Sequence, residues 1–425
     1  MEIPKTSESR DQRDTRAWEL LSGLFTDPGN VNPYDIYREL HTIGDDFVTP
    51  HGAHIVIGHA AVTEMTRNPA FKKNSALGTS PLQRPFVELS AEQWKEIEEQ
   101  SDGATALLVN LDEPDHTRIR GLAQKAFLPK NVARMKDKIV ETTDRLLGAI
   151  DPTKPVDIAS QFGALFAPEI MAELIGLPST DRIYISELTA IQMRAVDPQA
   201  DFEVQLAAAK AAKAQRNYVS ELVAARRADP RDDMVTALAQ GSGETLSDAE
   251  LVALLTILYI GGYETTAHMI GNGLVALLNN PDQLALLRRD IDTNIRPAVE
   301  EMLRFDGAIS VTQLFPAAGA TLFGRPAEAN VPYLGILTAA NRDPAAYDEP
   351  DRFIINRARK PIQTFGGGSH FCLGMHLAKL ELELVFRTFV QRYPAMQLLN
   401  PEPPRIPLFH QQAYASVPVL LQSRA

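Results

Sequence analysis

The chain of 425 residues contains one cysteine, Cys372, which lies in the glycine-rich segment Phe365–Gly374 (FGGGSHFCLG). Successive glycines permit positive φ angles and a close approach of the backbone to a flat ligand. A helical pattern follows the cysteine, so the free N–H groups of the helix start would point at the sulfur and favour its thiolate form. Because the thiolate is the form that binds metals, the segment predicts a cysteinate ligand to haem iron. The alternative is a buried thiol without chemical function.

A second candidate site lies in the middle of the most apolar helical stretch, at Gly261–Thr266 (GGYETT). Each glycine costs a helix about 1 kcal/mol relative to alanine, so these residues indicate a constraint other than helix stability. The glycines leave room beside the helix for a bound molecule, and Thr265 can turn its hydroxyl inward. Glu264 could relay protons from solvent to that hydroxyl. A helix kink with a solvated glutamate would explain the same residues.

Two charged pairs have helical spacing. Glu301 and Arg304 are three residues apart and can pair, while His116 and Arg120 are four apart and can both meet an anionic group. Taken alone, each pair is more typical of a solvated helix face than of a functional site. The segment Gly271–Ala276 fits G-x-G-x-x-A, but it lies inside a helical pattern, which indicates helix packing rather than dinucleotide binding.

The elements that must position these residues are mostly helical. Ser247–Glu250 has the pattern of a capping box and starts a helix that runs to about Asn279, and Pro281 starts the next one. Further helices are predicted over 34–41, over 116–150 with a break near 128–129, over 162–175 and over 202–227. Short β segments are predicted within 47–57, 309–337 and 401–421. The stretch between 175 and 202 has less regular spacing, and 226–243 is interpreted as a surface connection.

These segments together resemble the cytochrome P450 family. Phe365–Gly374 matches the haem-binding signature of that family at every specified position, and Gly261–Thr266 is similar to the acid–alcohol motif of its central helix. Glu301–Arg304 is similar to its Glu-x-x-Arg helix. The resemblance implies a mostly α fold with a small β region, in which haem lies between the long central helix and the helix after the cysteine loop. It also implies a single domain over 17–425 after a disordered tail at 1–16.

The resemblance implies a role for each candidate residue. Cys372 would be the axial iron ligand, and Glu264 and Thr265 would be the catalytic pair that delivers protons for oxygen activation. Glu301 and Arg304 would form a structural cluster with Arg352. Contacts to haem are expected from His116, Arg120, Phe365, Gly366, Gly368, His370, Cys372 and Gly374. A substrate pocket is expected at Ile257, Ile260, Ile309, Val311 and Phe409.

One stretch departs from the family. The first β segment after the Glu-x-x-Arg helix usually carries an arginine that binds a haem propionate, but Val311–Ala317 (VTQLFPA) has none. The nearest arginine, Arg325, is too far along the chain to assign. Which group meets that propionate is left open.

Composition limits the cofactor and the partners. The net charge of −12 argues against nucleic acid as the main partner. A single cysteine rules out C-x-x-C-H attachment, so any haem b (iron protoporphyrin IX) must bind noncovalently, and it fits a reducing cytoplasm. The polar N-terminal stretch lacks the apolar core of a signal peptide, and the run Leu251–Gly262 is too short for a bilayer span. A cytoplasmic monomer without a membrane anchor is expected.

The implied activity is that of a haem-thiolate monooxygenase, which inserts one atom of dioxygen into a hydrophobic small molecule. The chain has no flavin segment, so electrons from NAD(P)H would come through a separate reductase and a ferredoxin or flavodoxin. An acidic donor would be steered by a basic patch, which comprises Lys125, Lys130, Arg134, Lys136 and Lys138. The alternatives are a peroxide-driven or rearranging haem-thiolate enzyme and a haem sensor or carrier without turnover. The sequence does not choose among terpenoid, steroid, fatty acid and polyketide substrates.

Overall fold

The computed structural model describes residues 9–26, 31–73, 87–101, 106–196, 200–240 and 246–422. Helices dominate this part of the chain. In order they are α1 (Arg10–Thr26), α2 (Pro33–Ile43), α3 (His59–Arg67), α4 (Ala91–Ser101), α5 (Asp115–Gln124), α6 (Pro129–Gly148), α7 (Ala164–Ile175), α8 (Arg182–Arg194), α9 (Phe202–Ala228), α10 (Met234–Ala239), α11 (Asp248–Leu278), α12 (Pro281–Arg289), α13 (Ile291–Phe305), α14 (Leu337–Ala340) and α15 (Met375–Arg392).

The strands are short and form small sheets. They are β1 (Asp46–Val48), β2 (His54–Val56), β3 (Phe71–Lys72), β4 (Pro155–Asp157), β5 (Val311–Pro316), β6 (Thr321–Leu322), β7 (Arg325–Pro326), β8 (Tyr333–Ile336), β9 (Gln397–Leu398) and β10 (Pro418–Leu420). The largest sheet has the order β1-β2-β8-β5-β3, with β2 and β8 parallel and its other neighbours antiparallel. A three-stranded sheet has the order β4-β10-β9, and β6 pairs with β7.

Helix α11 runs through the main hydrophobic core. It is apolar on most sides, as expected of a helix that is surrounded by others, and it packs against α7, α9, α13 and α15 within the main cluster of buried side chains. Its start confirms the predicted capping box. Ser247 Oγ accepts the backbone N–H of Glu250 at 3.2 Å, and Glu250 Oε2 accepts the backbone N–H of Ser247 at 2.8 Å.

Small residues let α11 lie close to α15. A Cβ added at Gly273 would lie 2.6 Å from Phe386 Cζ of α15 and 2.9 Å from Met302 Sδ of α13. No side chain larger than glycine fits at these distances. The interpretation of Gly271–Ala276 as a packing motif is therefore confirmed.

Most predicted elements are confirmed, and three predictions need correction. The expected disordered tail at 1–16 is wrong over its second half, because α1 begins at Arg10 and its side chains Ala17, Leu21 and Leu24 recur at helical spacing in a core cluster with α2 and the large sheet. Residues 1–8 lie outside the described part of the chain. The stretch after 175 that was predicted to be less regular contains α8. The predicted surface connection contains α10, and just before this helix Asp233 pairs with buried Arg226 of α9 at 2.5 Å.

Candidate active site

A cavity of about 650 Å³ brings the two candidate motifs together. From α11 it is lined by residues one turn apart, Ile257, Gly261, Thr265 and Met269, and from the cysteine loop it is lined by Cys372. The volume lies within the range of about 300 to 1,000 Å³ that is usual for small-molecule sites. Cys372 and Thr265 therefore border the same cavity.

The shape of the cysteine loop depends on its glycines. Gly366 and Gly368 have φ angles of +66° and +61°, in the left-handed region that side chains rarely adopt. A Cβ at Gly368 would also collide with the backbone carbonyl of Thr66 in α3. The Cys372 N–H donates to the Phe365 carbonyl at 2.9 Å and closes the loop, so the sulfur is held just before α15.

The environment of the Cys372 thiol only partly follows the prediction. The side chain is exposed to the cavity. Burial raises the pKa of the Cys372 thiol, and this effect outweighs the backbone N–H of Gly374, the Arg120 guanidinium and the backbone N–H of Met375, which lower it. The expected donors are present at the helix start, but they do not hold the sulfur as a thiolate by themselves. Coordination to a metal cation would do so.

One end of the cavity carries nitrogen donors suited to carboxylates. The rings of His116 and His370 have centroids 4.1 Å apart, and Arg120 Nη2 donates to the Phe371 carbonyl at 2.6 Å. His116 is 1% exposed, and its Nε2 has no hydrogen-bond partner among the described residues. Burial, followed by the Arg120 charge, lowers the pKa of His116. A buried nitrogen without a partner is costly, so this end of the cavity fits an anionic group such as the propionates of haem.

The α11 wall leaves space at one glycine and closes it at the other. A Cβ at Gly261 would meet nothing within 4 Å, so this position opens onto the cavity as predicted. A Cβ at Gly262 would collide with Met171 Sδ of α7, and this glycine therefore serves the packing of α7 on α11. Thr265 Oγ1 donates to the Gly261 carbonyl at 2.8 Å within the helix and borders the cavity.

Comparisons with known proteins decide the family. The family model for cytochrome P450 matches residues 186–409. The biotin biosynthesis cytochrome P450 of Bacillus subtilis strain 168 is 30% identical over 395 residues, which cover 92% of this chain and 96% of that protein. The cytochrome P450 monooxygenase PikC of Streptomyces venezuelae is 31% identical over 379 residues, which cover 87% of this chain and 85% of PikC. This chain belongs to the cytochrome P450 family. It is a bacterial-type haem-thiolate monooxygenase.

Solved P450 structures have the same fold. The crystal structure of P450BioI in complex with hexadec-9Z-enoic acid ligated acyl carrier protein has a TM-score of 0.83 and 28% identity, and the match covers 92% of this chain and 99% of that one. Myxobacterial CYP267B1 in complex with myristic acid also has a TM-score of 0.83 and 28% identity, with 94% of this chain and 99% of that one covered. Among the described residues no helix has both the length and the apolar content needed to span a bilayer.

Glu264 lies beside the P450 cavity rather than in it, since it is not among the described residues that line the cavity. Its Oε2 accepts Gln411 Nε2 at 2.9 Å. Burial raises the pKa of the half-buried carboxyl, and the Gln411 bond opposes this shift. This carboxyl gives up its proton less readily than one in water, and the next residue in the chain, Thr265, lines the cavity.

The sequence analysis missed a second carboxyl, Glu381 of α15, which lines the cavity and is 2% exposed. Thr266 Oγ1 donates to Glu381 Oε2 at 3.0 Å, and Oε1 has no hydrogen-bond partner within the described part of the chain. Burial raises the pKa of Glu381 to about 8. A sequence signal existed, because Glu381 falls between Leu377 and Val385 at four-residue spacing on the buried face of the helix.

The structural cluster around Glu301 contains a different arginine from the one predicted. Arg304 donates to both carboxylate oxygens of Glu301 at 2.7 Å, and Arg357 Nε donates to Glu301 Oε1 at 3.3 Å. Arg352 is 63% exposed and pairs with Glu349, so its assignment to the cluster is wrong. Its backbone carbonyl, however, accepts Arg304 Nη2 at 3.1 Å. The chain turns back after Arg352, and this turn brings Arg357 to the acid.

The predicted pocket residues divide into two groups. Ile257, Ile309 and Val311 line the cavity, but Ile260 and Phe409 do not. Ile260 lies outside the stripe of α11 that faces the cavity, and Phe409 is 3% exposed in the core cluster under the large sheet. All the residues predicted to contact haem line the cavity, namely His116, Arg120, Phe365, Gly366, His370, Cys372 and Gly374, except Gly368, which instead packs against α3.

Proposed function

We propose that this P450 inserts one atom of dioxygen into a hydrophobic small molecule and binds haem b noncovalently through Cys372. One observation carries the proposal, namely that Cys372, Thr265 and the nitrogen donors around His116 border one cavity. When bound, haem with a cysteinate ligand supplies the electron-rich iron that favours O–O cleavage. No other cysteine is available in the chain to hold it.

The side chains around the cavity have separate tasks. His116, Arg120 and His370 would bind the haem propionates, and Phe365, Gly366 and Gly374 of the cysteine loop would contact the cofactor. Glu264, whose Oε2 accepts Gln411 Nε2, would supply protons toward the cavity. The hydroxyl of Thr265, which donates to the Gly261 carbonyl, would donate a hydrogen bond at the cavity surface. Glu381, bonded to Thr266, is a second carboxyl from which protons can reach the cavity.

The proposed substrate class is a medium-length or long acyl chain. The cavity wall away from the cysteine loop is largely apolar, with Leu108, Met171, Ile257, Ile309, Val311 and Leu314. An apolar lining with a few polar groups is the usual composition of a site for a hydrophobic ligand. Two structures similar to this chain were solved with hexadec-9Z-enoic acid on acyl carrier protein and with myristic acid, which supports an acyl substrate here.

Electrons are proposed to come from NAD(P)H through a separate reductase and an acidic ferredoxin or flavodoxin. Lys125, Lys130, Arg134 and Lys136 are exposed at the junction of α5 and α6. Phe127, in the same junction, lies 4.0 Å from a Cβ added at Gly374 of the cysteine loop. Lys138, predicted to be part of the patch, instead pairs with Glu141 and Glu169 at 3.8 Å. The remaining four cations form a basic surface on the cysteine side, which favours an acidic donor.

The first test is the difference spectrum of the dithionite-reduced protein with and without carbon monoxide. The wild type should give the strongly red-shifted Soret band of cysteinate-ligated iron, and Cys372→Ala should lose it. Ser369→Ala, an exposed position in the same loop, is the matched control and should keep the band. A wild-type band at the position of histidine-ligated haem would refute the proposal.

A second test separates monooxygenation from the peroxide-driven alternative. Thr265→Ala should lower the fraction of consumed NAD(P)H that appears as product by about tenfold, since one positioned proton donor contributes a factor of roughly 10² to 10⁴. Thr265→Ser keeps the hydroxyl and should restore coupling. An enzyme that uses peroxide would keep its peroxide-supported turnover in Thr265→Ala and show no dioxygen-dependent product in the wild type.

A further inference from the structure

Lys73 follows β3 and reaches across to the neighbouring strand β5. Its Nζ donates to the Gln313 carbonyl at 3.1 Å and to Thr312 Oγ1 at 3.4 Å. Its backbone N–H donates to Asp112 Oδ1 at 3.0 Å, which fixes the start of the side chain. β3 and β5 are antiparallel, with Lys72 opposite Phe315, so the pairing itself carries Lys73 to this position. Lys73, Thr312 and Asp112 all line the cavity.

The ammonium group of Lys73 lacks a close acid. Both acceptors of Nζ are neutral, and no ion pair formed within the described residues includes Lys73. The surface that Lys73 keeps exposed borders the cavity. Burial lowers the pKa of Lys73 to about 8, and the charge of Asp112 only partly opposes this shift. An enclosed cation without an anionic partner is costly, so a carboxylate bound in the cavity would relieve it.

Lys73 acts on the same end of the cavity as the two histidines. After burial and the Arg120 charge, the Lys73 charge also lowers the pKa of His116, whose ring centroid lies 4.1 Å from that of His370. This end therefore collects the cationic and N–H groups that suit carboxylates. β5 itself supplies no arginine or lysine, since Val311–Pro316 reads VTQLFP.

We propose that Lys73 binds one haem propionate and takes the place of the arginine that is absent from β5. The inference rests on the proposed function, because it requires haem in this cavity. The Thr312 hydroxyl and the Gln313 carbonyl accept hydrogen bonds from Nζ and hold it against β5. A lysine that directly follows β3 thus replaces an arginine side chain on β5. The carboxylate of an acyl substrate has the same chemistry, and the experiment distinguishes the two sources.

The test is the rate of haem transfer from the ferric holoenzyme to excess apomyoglobin. Lys73→Met and Lys73→Gln remove the charge and should release haem about tenfold faster, which corresponds to about 1.4 kcal/mol. Lys73→Arg keeps a cation that can bond a carboxylate and should stay within about twofold of wild type. Lys154→Met, which removes a 76% exposed lysine between α6 and β4, is the control and should leave the rate unchanged.

Haem release at the wild-type rate from Lys73→Met and Lys73→Gln would overturn the inference. If these variants also bind myristate more weakly, seen as a smaller spin-state shift, Lys73 binds the substrate carboxylate instead. A wild-type protein without the red-shifted carbon monoxide band would instead refute the proposed function, so the carbon monoxide spectrum tells the two failures apart.

Discussion

At the scale of single residues, Glu381 and Cys372 show how much burial changes side-chain chemistry in this protein. Both face the cavity, and in both, burial is the largest influence on the pKa and raises it. Neighbouring donors only moderate this effect, since Thr266 gives Glu381 one hydrogen bond and leaves Oε1 without a partner among the described atoms. Glu381 therefore keeps its proton more readily than a carboxyl in water, whereas Cys372 would need a bound cation to become a thiolate.

The raised pKa of Glu381 predicts a pH-dependent loss of stability. With a folded-state pKa of about 8, the folded protein retains a proton that the unfolded chain releases above about pH 4. The stabilisation from this proton is complete below that pH and is lost as the pH rises toward 8. Glu381→Gln removes this titration, so between about pH 5 and pH 8 its free energy of unfolding should fall less steeply than that of wild type, by up to about 1.4 kcal/mol per pH unit.

Urea unfolding at several pH values measures this slope. Glu383→Gln is the control, because this side chain lies on the outer face of the same helix and pairs with Arg296. Its stability should follow the wild-type curve. Parallel curves for Glu381→Gln and wild type would show that Glu381 does not hold a proton in the folded state.

At the scale of elements, the Glu301 cluster ties α13 to the irregular segment that precedes the cysteine loop. Arg304 donates to the carbonyls of Asn341 and Pro350 at 2.9 and 2.8 Å, besides its bonds to Glu301. Arg357 donates to the carbonyls of Asp348 and Glu349. Two guanidinium groups thus satisfy backbone carbonyls that no sheet or helix would satisfy, and they fix the path of the chain toward Cys372.

The cluster predicts unequal effects for two nearby arginines. Arg357→Met leaves a buried Glu301 with one cation fewer and several carbonyls without donors, and it should lower the free energy of unfolding by about 3 kcal/mol. Arg352→Met removes only an exposed pair and should leave the free energy of unfolding close to the wild-type value. Urea unfolding and the fraction of haem retained after gel filtration provide the comparison. Equal losses for the two variants would contradict the assignment of Arg357.

The elements of this region could be predicted from the sequence, but the third member of the Glu301 cluster could not. Helical spacing and the capping box at Ser247 located α11 because local hydrogen bonds and one apolar pattern determine such elements. Arg352 and Arg357 have the same chemistry and lie five residues apart in a segment without regular structure, so nothing local distinguishes them. The identity of the third member depends on a turn that only the tertiary structure supplies. Lys73 was missed for a similar reason, because strand pairing, not sequence distance, brings it to β5.

At the scale of the whole molecule, charge is unevenly distributed. The chain has a net charge of −12, yet Lys125, Lys130, Arg134 and Lys136 lie exposed together at the junction of α5 and α6. The composition predicts that nucleic acid is not the main partner, but only the positions of the helices show that this basic surface adjoins the cysteine loop. A local field of this kind speeds the encounter with an acidic partner more than it strengthens the complex.

Charge reversal on this surface should slow electron transfer. Lys130→Glu and Arg134→Glu should each lower the second-order rate of reduction by an acidic ferredoxin by about tenfold at low ionic strength, and the difference should shrink toward 1 M salt. Lys154→Glu makes the same charge change away from the junction and should have little effect. Stopped-flow reduction under carbon monoxide measures the rate. A similar loss in all three variants would point to net charge rather than to this surface.

The residues that line the cavity extend from Thr66 to Leu382, and β2 pairs in parallel with β8, whose sequence lies almost 280 positions later. Segments so distant in the chain meet only after long loops have closed, which is slow. During synthesis on the ribosome, the cavity stays incomplete until Cys372 and the lining residues of α15 have emerged. We therefore expect a chain that is interrupted before α15 to fail to retain a cofactor in this cavity.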